Sequence, residues 1–439
     1  MTTKPGFHFL LLICVFMPAA GQLLASSDAR ASAPADSGNC IQSNLQTATD
    51  DSAGSELIVH SLAALYQVDT GKIWRAGSGY SSLGGGKAVR SDQQFRIASI
   101  VKTFAATLVM QLVEEGTLDL DMTLGQMFGD EVIDGVRTDE LHVMNGKPRG
   151  SSVTLRQLLS HTTGMPDYIF ADPPDGRPSL LSVLLGYMES GSVEDYIGSH
   201  RMNAESALRH FVEAGLAASP GFLPGRDYSY SETNYLLLRF LLEEVTGETL
   251  AVLYKERIFD PLGMKSTIVE GADTDTGSLD LVHQYWYFET VDGKYRNVDM
   301  TPAGRAIPLD YVSGTAGGMI SNTEDLARFI GGLATGQLFN EQGTFKQMAT
   351  MSEQSINSAD SGSFHRLYGF GLTRVPTNRG GTLIGHCGFW GVCAFYDPES
   401  RVAIGAAINQ AADRETFMGH YISALSGSYR SCEGHVDRE

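Results

Sequence analysis

Ser99 and Lys102 stand three residues apart at the start of an apolar stretch whose spacing predicts a helix. That separation puts both side chains on one helix face, so the lysine nitrogen can reach the serine hydroxyl. A serine hydroxyl becomes a competent nucleophile when a neighbouring base takes its proton, and lysine is one such base. The helix N-terminus adds backbone N–H groups beside a developing oxyanion. This Ser-x-x-Lys occurs once in the chain and predicts covalent catalysis through Ser99.

Further short segments follow this pair in a fixed order along the chain. They are Phe95-Arg96-Ile97-Ala98-Ser99, Ser160-His161-Thr162-Thr163-Gly164-Met165-Pro166-Asp167, Pro224-Gly225, Tyr228-Ser229-Tyr230-Ser231-Glu232-Thr233-Asn234-Tyr235, Asp260-Pro261-Leu262-Gly263-Met264, Gly317-Gly318-Met319-Ile320-Ser321 and Gly385-His386-Cys387-Gly388. As an ordered set they resemble the penicillin-recognising serine hydrolases of the class C type. That group comprises class C β-lactamases, the related D-Ala-D-Ala carboxypeptidases, D-aminopeptidases and esterases. The resemblance covers roughly residues 55 to 425.

The resemblance implies a role for each catalytic residue. Ser99 is the residue that becomes acylated. Lys102 either takes the serine proton or, while it stays cationic, lowers the pKa of a neighbouring phenol. That phenol is Tyr230, at the first position of the family's Tyr-x-Asn. Standing alone, Tyr230 would be read as a core tyrosine before the amphipathic helix pattern of residues 234–246.

The resemblance also assigns the segment at His386, Cys387 and Gly388 to the substrate-binding strand, where the family has Lys/His-Thr/Ser-Gly. Glycine lets the substrate backbone approach closely, and the histidine presents a titratable edge that is expected to add a pH dependence around neutrality. The backbone N–H groups of Ser99 and Phe389 would form the oxyanion hole. His161 is expected to order its loop rather than to take part in the chemistry.

Two residues depart from the family pattern. Glu232 replaces the Asn that normally contacts the lysine and the substrate amide. An ionised glutamate cannot donate a hydrogen bond, and it favours the protonated form of Lys102. Its structural alternative is an anion at a helix N-terminus. Cys387 replaces a hydroxyl residue that commonly binds a substrate carboxylate, and a thiol is a weak donor. Both changes weaken recognition of a peptide with a free carboxylate or of a β-lactam, and neither removes acyl transfer to Ser99.

The elements that must position these residues predict an α/β (α+β) fold. Strands at both ends of a helical middle indicate an antiparallel sheet flanked by helices, with an inserted all-helical lobe, as in the β-lactamase/transpeptidase-like fold. The predicted sheet lobe comprises residues 40–98 and 305–430, and the mostly helical lobe comprises residues 99–304. Long segments at 130–150 and 170–201 have no counterpart in the motifs.

The N-terminus predicts a secreted or periplasmic protein. Lys4 and the apolar residues 9–19 indicate a signal peptide within residues 1–25, with an uncertain cleavage site, because the apolar stretch is too short to span a bilayer. Residues 26–39 are interpreted as a flexible tether and 431–439 as a tail.

Four cysteines remain after removal of the predicted signal, an even number that suits an oxidising compartment. The resemblance implies that the first and last helices lie side by side and antiparallel, which would bring Cys40 near Cys432. Cys387 and Cys393 flank a predicted tight hairpin. They are interpreted either as a disulfide or as two buried thiols, with no preference between these readings.

Composition and missing motifs exclude other classes. Against 32 Lys and Arg residues stand 51 Asp and Glu residues, a formal net charge of −19, which disfavours nucleic acid and anionic membrane surfaces as partners, and no stable membrane insertion is expected. The chain has no Gly-x-Ser-x-Gly, no His-Glu-x-x-His and no phosphate-binding loop motif. No metal and no cofactor are implied.

The prediction is therefore a secreted serine hydrolase acting through an acyl-enzyme on a small-molecule or peptide substrate, such as a peptidoglycan stem peptide, a β-lactam or an ester. A D-Ala-D-Ala carboxypeptidase or related D-amino-acid peptidase comes first. The alternatives are an esterase or a class C-like β-lactamase. A protein of another class, a penicillin-binding or scaffold protein that acylates without turnover, is disfavoured by the joint presence of Ser99, Lys102 and Tyr230.

Overall fold

In the computed structural model, the structure is described for residues 37–53, 58–190, 202–270, 279–289, 295–301, 314–358, 367–377, 381–408, 410 and 414–432. A six-stranded antiparallel sheet runs in the order β12-β13-β14-β15-β1-β2. Its strands are β1 (His60–Gln67), β2 (Lys72–Gly79), β12 (Thr373–Pro376), β13 (Thr382–Gly388), β14 (Val392–Asp397) and β15 (Val402–Ile408). The strands from the two ends of the sequence therefore meet, because β15 pairs with β1.

Both faces of the central sheet are covered, which is why β15 is buried along its whole length. Successive side chains alternate between the faces, as the twofold strand period requires. Ala403 and Ala407 pack into the larger core that includes the nucleophile helix, whereas Ile404 and Ile408 pack against the helices from the chain ends. In β15, therefore, the odd-numbered residues Ala403 and Ala407 face the larger core, and the even-numbered residues face the terminal helices.

Helices fill the rest of the described chain. They are α1 (Ser37–Ser52), α2 (Val101–Glu114), α3 (Leu124–Phe128), α4 (Leu155–Leu159), α5 (Leu180–Ser190), α6 (Ala204–Glu213), α7 (Glu232–Thr246), α8 (Leu250–Tyr254), α9 (Asp260–Leu262), α10 (Thr323–Ala334), α11 (Thr344–Met348), α12 (Glu353–Asn357) and α13 (Arg414–Arg430).

Short strands join these helices. A three-stranded sheet in the order β3-β11-β8 contains β3 (Phe95–Arg96), β8 (Ile268–Val269) and β11 (Met319–Ser321). The two-stranded ribbons are β4 (Glu131–Ile133) with β5 (Val136–Arg137), β6 (Val143–Met144) with β7 (Lys147–Pro148), and β9 (Tyr285–Glu289) with β10 (Tyr295–Asp299).

The mixed fold with an antiparallel sheet and flanking helices confirms the predicted fold class. The region predicted to be mostly helical also carries the short strands β4 to β10, and the proposed lobe boundaries stay predictions. Helix α1 begins at Ser37, inside the stretch assigned to the tether. The predicted signal peptide and most of the tether and tail lie outside the described residues. No helix among the described residues has the length and apolar character needed to cross a bilayer.

The terminal helices α1 and α13 lie antiparallel, since residues with higher numbers in α1 contact residues with lower numbers in α13. Asn44 faces Ser428, and the Tyr421 hydroxyl reaches both Thr49 and the Leu62 carbonyl of β1. At the far end, Cys40 and Cys432 form a disulfide with a sequence separation of 392. The pairing implied by the family resemblance is therefore present in the structure.

Removing this bridge with Cys40→Ser should lower the free energy of unfolding by about 3–5 kcal/mol, because the bridge restricts a very long loop in the unfolded chain. Activity at low temperature should persist, since the bridge lies on the terminal-helix face of the sheet. Denaturant titrations of wild type and of C40S/C432S, the double variant that avoids a lone thiol, measure the effect. Equal unfolding free energies would contradict this role for the bridge.

Candidate active site

The turn that carries Ser99 lies between strand β3 and helix α2. Residues Ala98–Ile100 form a 3-10 turn that continues into α2, and Ala98 adopts a φ of 44°, a conformation that L residues rarely take. Arg96, on β3, makes a bidentate ion pair with Glu270, and both side chains are buried. Ser99 is partly exposed between buried neighbours. The turn therefore presents its hydroxyl on a rigid backbone.

Lys102 lies beneath the serine, one helical turn on, and its side chain is fully buried. Its Nζ donates to Ser99 Oγ at 3.2 Å and to the Ala316 carbonyl at 3.3 Å. The same Nζ lies 2.7 Å and 2.8 Å from the two carboxylate oxygens of Glu232. A buried ammonium needs this kind of compensation, because an uncompensated charge in the interior is strongly destabilising.

Glu232 is brought to the lysine by the start of helix α7. It is the first residue of that helix, where a negative charge is favoured by the helix dipole. Ser231 precedes the helix without capping it through its side chain. Instead Asp167 accepts hydrogen bonds from the backbone N–H groups of Glu232, Ile169 and Phe170. Asp167 thus links the loop at residues 167–170 to the start of the helix that carries Glu232.

Tyr230 lies next to both partners of this ion pair. Its ring centroid is 4.8 Å from Lys102 Nζ. Burial raises the pKa of Tyr230 well above its usual value, the charge of Glu232 raises it further, and the nearby Ser99 side chain acts in the opposite direction. The alternative in which Lys102 lowers the pKa of this phenol stays a prediction, while burial makes the net shift upward. The phenol holds its proton at neutral pH and is suited to donate it.

The His161 ring packs against the ring of Tyr230. The two ring centroids are 4.3 Å apart, and His161 Nδ1 accepts from the Ser231 backbone N–H and from the Asn234 side chain. Burial lowers the pKa of His161 well below its usual value, so the ring is neutral. Its backbone φ of 55° belongs to the tight turn of the Ser-His-Thr-Thr-Gly segment. These contacts give His161 an ordering role in its loop.

His386 faces the same region from strand β13, but it is not a titrating group near neutrality. Its Nδ1 is 2.7 Å from the Cys387 carbonyl, which can only accept, so Nε2 accepts from the Tyr368 hydroxyl 3.1 Å away. Burial, with the Lys102 charge as the second cause, lowers the pKa of His386 to about 3. The expected pH dependence of this residue around neutrality is therefore wrong.

Cys387 points away from the site, because neighbouring strand residues face opposite sides. It forms a disulfide with Cys393, directly across the β13–β14 pair, and both side chains join the apolar cluster under the terminal helices. Of the two readings left open by the sequence, the bridge is correct. The structure does not place Cys387 as a thiol donor beside the nucleophile.

Gly388 closes the site at the end of β13. A Cβ built there would lie 2.3 Å from the Ile97 carbonyl and 3.1 Å from the Ala98 Cβ, so only glycine permits this approach. The turn through Phe389 is thereby held against the nucleophile turn. The assignment of the Ser99 and Phe389 N–H groups to the oxyanion hole stays a prediction that this packing supports.

Two supporting residues were missed by the sequence reasoning. Asp167 was visible as the last residue of a quoted motif, but nothing in the sequence shows that its carboxylate caps a helix that begins 65 residues later. Tyr368 lies in a Tyr-Gly-Phe-Gly segment that carried no assignment. Among the described residues, no group of three or more His, Cys, Asp or Glu side chains could hold a metal ion.

Comparisons with known proteins show which sequences are similar to this chain. The Beta-lactamase family model matches residues 58–425. Unguisins hydrolase ungD of Aspergillus violaceofuscus is 28% identical over 267 residues, which are 61% of this chain and 41% of that protein. Penicillin-binding protein 4* of Bacillus subtilis is 23% identical over 314 residues, which are 71% of this chain and 59% of that protein. The matched segments thus span well under two thirds of these relatives.

A solved structure has the same fold. D-amino acid amidase from Ochrobactrum anthropi SV3, complexed with L-phenylalanine amide, superimposes with a TM-score of 0.68 at 22% identity, over 91% of this chain and 100% of that one. The family model covers most of the chain and includes all the residues that meet around Ser99. The protein therefore belongs to the Beta-lactamase family.

Proposed function

We propose that this enzyme hydrolyses amides and esters whose leaving group carries no free carboxylate, through an acyl-enzyme on Ser99. The observation that carries the proposal is the contact of Lys102 with both oxygens of Glu232. Within the activities that the sequence left open, this favours a D-amino-acid peptidase or amidase, or an esterase, over a D-Ala-D-Ala carboxypeptidase.

The electrostatic argument rests on the charges that surround the nucleophile. A substrate carboxylate is usually held by a cation or by strong donors, because an unpaired charge loses its hydration without compensation. Here the Lys102 charge is compensated by Glu232 at 2.7 Å, and His386 is neutral. Cys387, at the position of the family's hydroxyl donor, is in a disulfide. Because Glu232 already engages Lys102, that cation is less able to hold a terminal carboxylate, and neither His386 nor Cys387 supplies a charge or a donor in its place.

Acylation follows from the hydrogen bonds. As Ser99 Oγ attacks the substrate carbonyl, its proton passes to Lys102 Nζ while Lys102 passes a proton of its own to Glu232. The amine thus stays charged, and the proton resides on the carboxylate. The Tyr230 phenol, which is protonated, gives its proton to the leaving nitrogen or oxygen. The leaving group departs neutral, and Tyr230 is left as a phenolate beside the Lys102 ammonium.

Deacylation reverses these proton movements. The Tyr230 phenolate takes a proton from water as that water attacks the acyl-enzyme carbonyl. When the tetrahedral intermediate collapses, Ser99 Oγ regains a proton from Lys102, which takes one back from Glu232. Each group returns to its starting state, so one water is consumed and one acid is released. The helix start at Ser99 and the turn at Phe389 supply the N–H groups for the oxyanion in both steps.

The relatives support the same range of chemistry. A D-amino acid amidase shares the fold over nearly the whole chain, and a hydrolase and a penicillin-binding protein are similar in sequence over 61% and 71% of this chain. Two disulfides suit an exported enzyme, and with the N-terminal signal pattern they support our proposal of a secreted or periplasmic location.

The test compares three substrates with purified enzyme: a D-amino-acid amide, a p-nitrophenyl ester and an acylated D-Ala-D-Ala peptide. We expect turnover of the amide or the ester and a low kcat/KM for the peptide. Glu232→Asn should raise kcat/KM for the peptide relative to the ester by at least about tenfold, because a like charge facing the substrate carboxylate is removed.

The matched control is Glu244→Asn, which removes an exposed carboxylate from the same helix α7. It should leave the ratio unchanged. Efficient wild-type hydrolysis of the D-Ala-D-Ala peptide would refute the charge argument. Stable acylation without turnover of any of the three substrates would support a penicillin-binding protein instead.

A further inference from the structure

Three aromatic rings meet edge to face beside the nucleophile turn. Phe389 and Trp390 lie in the turn between β13 and β14, and Trp286 lies on β9. The Trp286 and Phe389 ring centroids are 4.9 Å apart at 81°, and those of Phe389 and Trp390 are 4.9 Å apart at 87°. Such edge-to-face packing fixes ring orientations and makes the three rings, which we call the aromatic wall, a rigid surface.

The aromatic wall is part of a small apolar cluster that is separate from the two main cores. Its buried members are Ala98, Leu184, Met300 and Trp390. Leu184 comes from helix α5, within the segment 170–201 that has no counterpart in the family motifs. The hairpin β9–β10 contributes Trp286 and Val298, which pair across the two strands and pack against this cluster. The surface is therefore built from three segments that are distant in the sequence.

The aromatic wall adjoins the turn that carries Ser99. Ala98 immediately precedes Ser99, and Phe389 immediately follows Gly388, which packs on Ala98. Tyr230 and Glu232 approach Ser99 from helix α7 and its preceding loop instead, and both lie next to Lys102 of helix α2. Since the leaving group must face Tyr230 to be protonated, the part of the substrate retained on Ser99 faces the aromatic wall.

We propose that the aromatic wall is the binding subsite for the acyl part of the substrate, and that this part carries a large apolar side chain, aromatic or branched aliphatic. The inference rests on the proposed function, because it uses the direction of the leaving group. Trp286 and Phe389 are only partly buried, so apolar ring surface remains exposed next to a nucleophile. Covering that surface with an apolar group is favourable in proportion to the area removed from water.

The experiment uses p-nitroanilides, which keep one leaving group while the acyl group changes. Wild-type enzyme should prefer phenylalanine p-nitroanilide over alanine p-nitroanilide, each tested as D and L forms, by roughly 10–200-fold in kcat/KM for the accepted enantiomer. Trp286→Ala should reduce this preference by tenfold or more, whereas Trp286→Phe should keep most of it. The alanine compound, whose acyl group is too short to cover the rings, serves as the reference substrate for this ratio in each variant.

Two controls separate the possible failures. Trp74→Ala removes a partly buried tryptophan that packs on Tyr429 at the terminal helices, far from Ser99 in the fold, and should not alter the preference. Matched melting temperatures for the Trp286 variants exclude unfolding as the cause. A wild-type preference for alanine, or a preference that survives Trp286→Ala, would overturn the subsite while leaving the proposed function intact. Failure of wild type to cleave any amide or ester would overturn the proposed function itself.

Discussion

Ser99→Ala should abolish both covalent labelling and hydrolysis. A fluorophosphonate or a β-lactam should add to the wild-type peptide that contains Ser99, as read by mass spectrometry, and should not add to the variant. The melting temperature should change little, because the side chain is partly exposed and Lys102 keeps its contacts with Glu232 and the Ala316 carbonyl. The expected loss is near complete, since no covalent intermediate can form without the hydroxyl.

The matched control for this variant is Ser219→Ala, at an exposed serine whose hydroxyl bonds only a local backbone carbonyl among the described contacts. It should label and hydrolyse as wild type does. Label retained on the Ser99→Ala protein, at whichever residue it is found, would remove Ser99 from the role of nucleophile. Hydrolysis without any label would show that the acyl-enzyme is absent from the mechanism.

Tyr230→Phe and Lys102→Ala should each lower kcat by roughly 10²–10⁴-fold, because each removes a group that moves a proton in both half-reactions. The two variants should differ in stability. Tyr230→Phe removes one hydroxyl from a packed ring, whereas Lys102→Ala leaves the Glu232 carboxylate buried without its ammonium, which costs about 3–5 kcal/mol. Steady-state kinetics and denaturant titration of both variants measure these effects.

A charge-balanced variant isolates catalysis from folding. Lys102→Met combined with Glu232→Gln should recover most of the lost stability while remaining inactive.

Tyr254→Phe is the matched control for Tyr230→Phe, since the buried Tyr254 hydroxyl donates to the Gly314 carbonyl away from Ser99, and this control should keep wild-type kcat. Near-wild-type turnover in Tyr230→Phe would transfer the proton-donor role to another group.

The pH profile carries a related expectation. A histidine whose folded pKa is about 3 stays neutral at every higher pH, so His386 should contribute no titration to kcat/KM between pH 5 and 9. Because the pKa of Tyr230 is raised, the phenol also stays protonated through that range. These two groups therefore add no step near neutrality to the profile.

The sequence alone predicted the contact between Ser99 and Lys102 and the fold class. Ser-x-x-Lys is a local pattern, and the geometry of one helical turn is enough to predict contact between Ser99 and Lys102, which the structure shows at 3.2 Å. The strands at both chain ends could be predicted from apolar runs between turn signals. Their pairing, with β15 beside β1, agrees with the fold that the motif order implied.

Only the tertiary structure decided the electrostatic state of the site. Burial is a property of the packed chain, so the low pKa of His386 and the raised pKa of Tyr230 could not be calculated from residue types at known spacing. The direction of Cys387 depends on which face of β13 meets the terminal helices, a choice that a one-residue shift would reverse. The aromatic wall joins β9 and the β13–β14 turn and packs on α5, segments about 100 residues apart, and the sequence holds no local signal for such contacts.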